Sequence, residues 1–181
     1  MSNKSVCKKG NSLRRVWAVL ATAFLATHLL LLMSCSSIDC PVQNFVGTYY
    51  AMMKADGKPD TLGTDTLWIS TTAGTGKDST LIDALCNNET TFVLPISYTE
   101  PENVFYTLLA DTFGNSWKDT IRITKTDTPH FESVDCQATY FHELESATIT
   151  HHAFDSIVIN YPHVNYDQTH NHIYLYRKVL P

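Results

Sequence analysis

The sequence lacks the short motifs that mark several common enzyme classes. It has no Gly-x-Ser-x-Gly turn, in which a hydrolase presents its serine nucleophile, and no glycine-rich loop for binding phosphate. It also has no Cys-x-x-Cys pair, on which thioredoxin-like redox chemistry depends. These absences predict a protein that is not an enzyme, has no catalytic residues and carries no cofactor.

Cysteine is scarce, with five residues spread along a chain of 181. Cys7 and Cys35 belong to the N-terminal segment, which leaves Cys40, Cys86 and Cys136. Three thiols allow one disulfide and one leftover thiol, and disulfides persist in the periplasm and outside the cell. We expect a bridge between Cys40 and Cys136, which ties the start of the domain to a late strand and leaves Cys86 as a buried free thiol. Closing a loop of about 97 residues stabilises a fold by roughly 4–5 kcal/mol in the chain-entropy model.

The first 34 residues have the composition of an export signal. Five basic residues precede an apolar run over residues 16–33, and the small residue Ser34 follows it. The run is 18 residues long, which is also near the lower limit for a membrane-spanning helix. An uncleaved N-terminal anchor is therefore the alternative.

The residues at the end of this run indicate cleavage and lipidation. Leu32-Met33-Ser34-Cys35 resembles the lipobox of bacterial lipoproteins, in which a leucine and a small residue precede the cysteine. The resemblance implies a diacylglycerol on the Cys35 thiol and a further acyl chain, such as palmitate, on its amine. Each buried methylene contributes about 0.8 kcal/mol, so two or three chains hold a protein firmly at a membrane. The predicted divisions are a signal peptide at 1–34, a short lipidated tether at 35–40 and a β-sandwich domain at 41–181.

The segment that follows the predicted cleavage site has few basic residues. It contains 8 Lys and Arg against 18 Asp and Glu, which is a formal net charge of −10. An acidic domain repels nucleic acid and anionic lipid headgroups. We therefore expect no nucleic-acid partner, and the ordinary explanation of the charge is a well-solvated surface.

Apolar and polar residues alternate along much of this segment, and no helical spacing extends beyond about ten residues. Ile121 and Ile123 alternate with polar residues, as do Phe92, Leu94 and Ile96. Period-two patterning of branched and aromatic residues is typical of half-buried strands. The sequence predicts an all-β fold, a two-sheet antiparallel β-sandwich that is immunoglobulin-like or transthyretin-like. The predicted strands cover residues 43–53, 65–72, 78–84, 90–97, 103–112, 117–125, 131–140, 144–152, 156–161 and 171–179.

Several short pieces of the sequence, taken in order, resemble a known family. These pieces are Asp39-Cys40, Asp78-Ser79-Thr80-Leu81, Leu94-Pro95-Ile96, Asp119-Thr120-Ile121-Arg122-Ile123, Phe131-Glu132-Ser133-Val134-Asp135-Cys136 and Ile173-Tyr174-Leu175. Together they resemble small uncharacterised lipoproteins of Bacteroidota, classed as a domain of unknown function. Members usually have a glycine after the late cysteine, where this chain has Gln137. The resemblance implies a Cys40–Cys136 bridge, residence at the outer membrane and work beside an outer-membrane protein, and it brings no catalytic residues.

The residues after Cys35 bear on the side of the membrane that the domain faces. Ser36, rather than an aspartate, fits delivery to the outer membrane. Surface-exported lipoproteins of Bacteroidota resemble one another in an acidic pair soon after the cysteine, and residues 36–39 lack such a pair. We expect the domain to face the periplasm, with the cell surface as the alternative.

Histidines are concentrated near the C-terminus. His170-x-His172 would place two imidazoles on one strand face, and Asp167 is a possible third ligand. The ordinary alternative is a polar strand end whose histidines form hydrogen bonds or face water. We assign no metal site and keep His170 and His172 as weak candidates.

Four Asp-Ser/Thr-aliphatic triplets resemble the acceptor motif for O-glycosylation in envelope proteins of Bacteroidota. A threonine before an aliphatic residue is also an ordinary way for a strand to begin. The candidate acceptors are Thr61, Thr66, Thr120 and Ser156, of which Thr61 and Thr66 lie nearest to predicted turns.

These features together favour a non-enzymatic interaction module that is anchored at the outer membrane and docks on another envelope protein. One alternative is a surface carbohydrate- or ligand-binding module, and another is a histidine-based metal-binding lipoprotein. Tyrosine is favoured at protein interfaces. The tyrosines expected to be exposed at the contact are Tyr49, Tyr50, Tyr98, Tyr174 and Tyr176, although strand packing explains them equally well.

Overall fold

The computed structural model describes residues 45–72 and 78–179 together with Trp17, Leu20 and Phe24. The chain forms two compact units, Met1–Asp39 and Cys40–Pro181. In the first unit the three described residues are helical and exposed. Within the described parts of the chain, no helix is long and apolar enough to cross a membrane. Cys35 and the rest of the predicted lipobox lie outside the described residues.

The second unit is built from β-strands, as the alternating pattern predicts. The ten strands that the structure describes in it are β1 (Gly47–Met53), β2 (Gly63–Thr72), β3 (Asp78–Asn87), β4 (Thr91–Pro95), β5 (Glu102–Ala110), β6 (Ser116–His130), β7 (Thr139–Ile149), β8 (Phe154–Ile159), β9 (His163–Val164) and β10 (Ile173–Arg177).

The strands form two sheets, which confirms the predicted sandwich. One sheet has four strands in the order β4-β1-β10-β8, and the other has six in the order β3-β2-β5-β6-β7-β9. The described pairs are antiparallel except for β1 and β10, which run parallel. The first and last strands are therefore neighbours at the centre of the smaller sheet.

The core lies between the two sheets, where the inward side chains of both meet. Tyr50 and Leu175 from the four-stranded sheet and Leu67, Ile69 and Ile121 from the six-stranded sheet are fully buried in one hydrophobic cluster. Burying one such side chain contributes roughly 1.5–3 kcal/mol. Because successive strand residues point to opposite faces, the same alternation fixes which side chains lie on the two outer surfaces.

The long hairpin of β6 and β7 differs from the prediction. Residues 131–140 were predicted to form a strand, but β6 already ends at His130 and the chain turns before β7. Ser133 makes this turn, because its hydroxyl accepts the Asp135 N–H at 3.2 Å and its carbonyl accepts the Cys136 N–H at 3.3 Å. Cys136 therefore lies in the hairpin loop rather than on a strand.

Candidate functional site

The outer face of the four-stranded sheet carries a cluster of uncharged side chains, and among the described residues charged side chains border it where Asp155, Arg177 and Lys178 lie near Ser156 and Tyr176. The cross-strand register sets Tyr49 beside Val93, and it places Tyr174 between Ala51 and Val158. We call this surface the tyrosine face; its members are Phe45, Tyr49, Ala51, Met53, Val93, Ser156, Val158, Tyr174 and Tyr176.

The tyrosine face is partly open to solvent. Val158 is 45% exposed and Phe45 is 48% exposed, and the tyrosines are half-buried. The outer face of an antiparallel sheet normally carries polar residues, because it faces water. An exposed apolar surface rimmed by polar residues is a common feature of interaction sites in soluble proteins.

Phe45 extends this surface beyond the end of β1. Its ring lies directly over Gly47, where a Cβ atom would approach the ring to 2.3 Å and Cγ1 of Val93 to 3.0 Å. A larger residue at position 47 would push the ring away. The glycine therefore seats the aromatic ring against Val93 at the edge of the tyrosine face.

His172 holds Tyr49 in place through two hydrogen bonds. Its backbone N–H donates to the Tyr49 carbonyl at 2.8 Å, and its Nδ1 accepts the Tyr49 N–H at 3.0 Å. The imidazole is fully buried, and burial lowers its pKa, so the ring is neutral and able to accept. The imidazole nitrogen thus accepts a hydrogen bond that a backbone carbonyl would accept in a regular ladder, one residue before β10 begins.

The comparisons with known proteins place the chain in a family. A family of unknown function, DUF6452, matches residues 66–177, which is well over half of the chain. The chain belongs to the DUF6452 family. No match was found among curated proteins or among solved structures. The DUF6452 match begins within β2 and ends with the last residue of β10, so Tyr49 and the rest of β1 lie before it.

Two of the five predicted contact tyrosines do not belong to the tyrosine face of this DUF6452 member. The prediction that Tyr50 is exposed is wrong, because its side chain points into the core and stacks on Phe92 with ring centroids 4.9 Å apart. Burial raises its pKa well above the ordinary value for a tyrosine. Tyr98 is 54% exposed, but it lies between β4 and β5 and stacks on Tyr140 at 4.4 Å.

The two weak metal candidates are close together but not on one strand face. Both rings contact Tyr161, with centroid distances of 4.5 Å for His170 and 6.0 Å for His172, and both residues precede β10. His170 binds Asp167 at 3.0 Å, whereas Nδ1 of His172 is occupied by the Tyr49 N–H. The described part of the chain contains no group of three His, Cys, Asp or Glu side chains arranged to hold a metal.

The four candidate acceptors for O-glycosylation are all half-buried. Thr61 lies between β1 and β2, whereas Thr66, Thr120 and Ser156 are strand residues. Loops present hydroxyls to modifying enzymes better than paired strands do, so the fold favours Thr61 among the four.

The aspartates of the first two triplets have a structural partner. Arg177 donates to Asp60 at 2.8 Å, to Asp65 at 2.7 Å and to the Thr61 carbonyl at 3.3 Å. These bonds tie the end of β10 to the turn between β1 and β2. The ion pairs with Arg177 thus give Asp60 and Asp65 a structural role that does not require a glycan at the neighbouring threonines.

Asp119, the aspartate of the third triplet, is buried and heavily hydrogen-bonded. Burial raises its pKa, but bonds from the backbone N–H groups of residues 152–154 and from the Thr150 hydroxyl outweigh burial and leave the pKa below the ordinary value. The carboxylate therefore joins β6 to the turn between β7 and β8.

Of the five cysteines, the structure describes Cys86 and Cys136. Cys136 lies in the β6–β7 loop, where the Ser133 hydroxyl donates to its sulfur at 3.4 Å. Cys40 lies outside the described residues, so the Cys40–Cys136 bridge stays a prediction. Cys86 lies on β3 and is half-buried rather than buried.

Sequence reasoning missed a charged network at the end of the core. The Lys125 side chain is fully buried, and its Nζ donates to both Asp127 oxygens at 2.5 and 2.6 Å and to the Glu100 carbonyl at 3.2 Å. Asp127 also contacts Nδ1 of His142 at 2.5 Å. Burial lowers the pKa of His142 in spite of the neighbouring carboxylate. The signal in the sequence is that Lys125 and Asp127 continue the inward positions of Ile121 and Ile123.

Proposed function

We propose that this protein is a lipid-anchored interaction module of the bacterial outer membrane, and that its tyrosine face docks on another envelope protein. The observation that carries the proposal is an uncharged, partly exposed sheet face on a segment with a formal net charge of −10. A charged surface resists desolvation, so a face whose members are uncharged costs less to cover with a partner.

The composition of the face suits a protein partner. Tyrosine, phenylalanine and methionine are enriched at protein interfaces, because they combine a large apolar area with few rotatable bonds or with an adaptable shape. Three tyrosines supply hydroxyls that form hydrogen bonds across an interface. A lipid surface, by contrast, offers no fixed hydrogen-bonding groups to the tyrosine hydroxyls at the centre of this sheet.

The anchor is the second part of the proposal. The lipobox-like segment before Cys35 supports cleavage and lipidation at that cysteine, and Ser36 supports delivery to the outer membrane with the domain facing the periplasm. A Cys40–Cys136 disulfide is compatible with that compartment. Thr61 is the preferred site for a glycan. The resemblance to lipoproteins of Bacteroidota supports the outer-membrane location and the Cys40–Cys136 bridge.

Site-specific photocrosslinking in cells tests the docking proposal. A photoreactive amino acid replaces Tyr174 in one strain and Phe113, which is 91% exposed in the turn between β5 and β6, in a second strain. We expect position 174 to give one discrete crosslinked envelope protein and position 113 to give none. Equal crosslinking from both positions, or none from position 174, would contradict docking through the tyrosine face.

Adding protease to intact cells tests which side of the outer membrane the domain faces. A domain that faces the periplasm survives, whereas a domain on the cell surface is cleaved. Cleavage in intact cells would favour the alternative of a surface ligand-binding module.

A further inference from the structure

The outer face of the six-stranded sheet carries a groove whose lining differs from the tyrosine face. The groove has a volume of about 620 Å³ and crosses β3, β2, β5 and β6. We call it the cross-strand groove; the residues that matter for its chemistry are Trp68, Ser70, Thr80, Tyr106, Lys118 and Thr120.

The cross-strand register aligns the polar side chains of the groove in one row. Ser70 pairs with Thr80 on one side and with Tyr106 on the other, and Tyr106 pairs with Thr120. One row across four strands therefore consists of three aliphatic hydroxyls and one phenol. The adjacent row contains Trp68, which pairs with Leu108, and Leu108 pairs with Lys118.

The two aromatic side chains are available to a ligand. Tyr106 is 42% exposed and Trp68 is half-buried, whereas their strand neighbours Thr107 and Ile69 are buried towards the core. Neither ring stacks on another aromatic ring among the described residues. Their outward surfaces are thus open to a molecule in the groove.

Four outward polar side chains of the groove are likewise open to a ligand. Within the described chain, the hydroxyls of Ser70, Thr80 and Thr120 make no hydrogen bond to protein, and Lys118 makes no ion pair. Asp83 and Asp119 also line the groove, but the Asp119 side chain is fully buried, so the charges open to a ligand are those of Lys118 and Asp83. The groove therefore combines one exposed charge of each sign, several unused hydroxyls and two apolar ring surfaces.

We propose that the cross-strand groove binds a neutral saccharide. A sugar ring presents an apolar C–H face, which packs on an aromatic ring, and a rim of hydroxyls, which both donate and accept. Tyr106 and Trp68 supply the ring surfaces, and Ser70, Thr80 and Thr120 bond the rim. A nucleic acid is disfavoured by the acidic charge of the domain, and a lipid chain leaves the hydroxyl row unsatisfied. This site is on the other sheet from the tyrosine face and does not depend on docking there.

Titration of the full-length protein with a panel of neutral oligosaccharides tests the site. The panel contains hexasaccharides of glucose, xylose, mannose and N-acetylglucosamine, and binding is followed by isothermal calorimetry in detergent. We expect at least one to bind, and Tyr106→Ala to weaken that binding by about tenfold or more. Tyr98→Ala, which removes an exposed tyrosine outside the groove, serves as the matched control and should leave the affinity unchanged.

Thr120→Val keeps the shape of the side chain and removes only its hydroxyl, so it separates binding from folding. It should weaken binding while the thermal unfolding temperature stays near that of the parent. The proposal is overturned if no oligosaccharide binds, if Tyr98→Ala weakens binding as much as Tyr106→Ala, or if a neutral hexapeptide binds the groove and the sugars do not.

Discussion

Asp119 is a buried acid whose carboxylate accepts several hydrogen bonds, and its position shows what a single residue contributes to the stability of the fold. It occupies an inward strand position in line with Ile121 and Ile123. An aspartate there is tolerated only because partners cover every oxygen. Those partners arrive more than thirty residues later in the chain, at residues 150–154. The alternation of the sequence shows that Asp119 faces the core, but only the fold shows why a charge is stable there.

Replacing this carboxylate should be costly. Asp119→Ala leaves three backbone N–H groups and the Thr150 hydroxyl without their acceptor, and we expect it to lower the free energy of unfolding by about 3 kcal/mol. Asp155→Ala, at the exposed aspartate of the fourth triplet, is the control and should change the free energy by less than about 0.5 kcal/mol. Urea unfolding followed by tryptophan fluorescence measures both values. Similar values for the two variants would show that Asp119 is not a structural acceptor.

At the scale of elements, most strands and the two-sheet architecture were predictable, because period-two alternation is a local property. The hairpin loop was not, because residues 134–140 also alternate between apolar and polar side chains, and only the turn at Ser133 interrupts the strand before them. The two-residue β9 is too short to show a pattern. The parallel pairing of β1 with β10 joins opposite ends of the domain, so no local signal exists for it.

Two buried histidines make stability depend on pH, one beside the parallel pairing of β1 with β10 and one in the antiparallel hairpin of β6 and β7. Burial lowers the pKa of His172, which completes the ladder at Tyr49, and that of His142, which borders Asp127 and Lys125. In the unfolded chain both groups return to the ordinary value of 6.5. Below that pH the unfolded state binds more protons than the folded state, so the free energy of unfolding falls as pH falls towards the folded-state pKa values.

Urea unfolding at pH 8 and at about pH 5 should therefore give a lower midpoint at the lower pH. The double variant His142→Gln, His172→Gln has no imidazole at either position, so its loss of stability over the same interval should be smaller. A parent protein with equal midpoints at both pH values would contradict the description of buried neutral histidines. So would a double variant with the same pH dependence as the parent.

At the scale of the whole molecule, the sandwich separates two kinds of surface. The tyrosine face on the smaller sheet consists of uncharged residues, whereas the cross-strand groove on the larger sheet combines hydroxyls with two aromatic rings. Sequence reasoning placed Tyr49, Tyr174 and Tyr176 on exposed strands, but a tyrosine at the next position, Tyr50, turned out to be core. Which tyrosines share a face depends on strand register, and one residue of register decides between core and surface.

We propose that acyl chains on Cys35 hold this domain at a membrane, where the tyrosine face meets its partner. Membrane fractionation of cells that carry the parent chain or Cys35→Ala, combined with the intact mass of each product, tests it most directly. We expect the parent to sediment with the outer membrane, with a mass that lacks residues 1–34 and includes added acyl chains. The Cys35→Ala variant should carry no acyl chains and keep the uncleaved N-terminus. A Cys35→Ala protein with the same mobility, the same processing and the same fractionation as the parent would contradict the account.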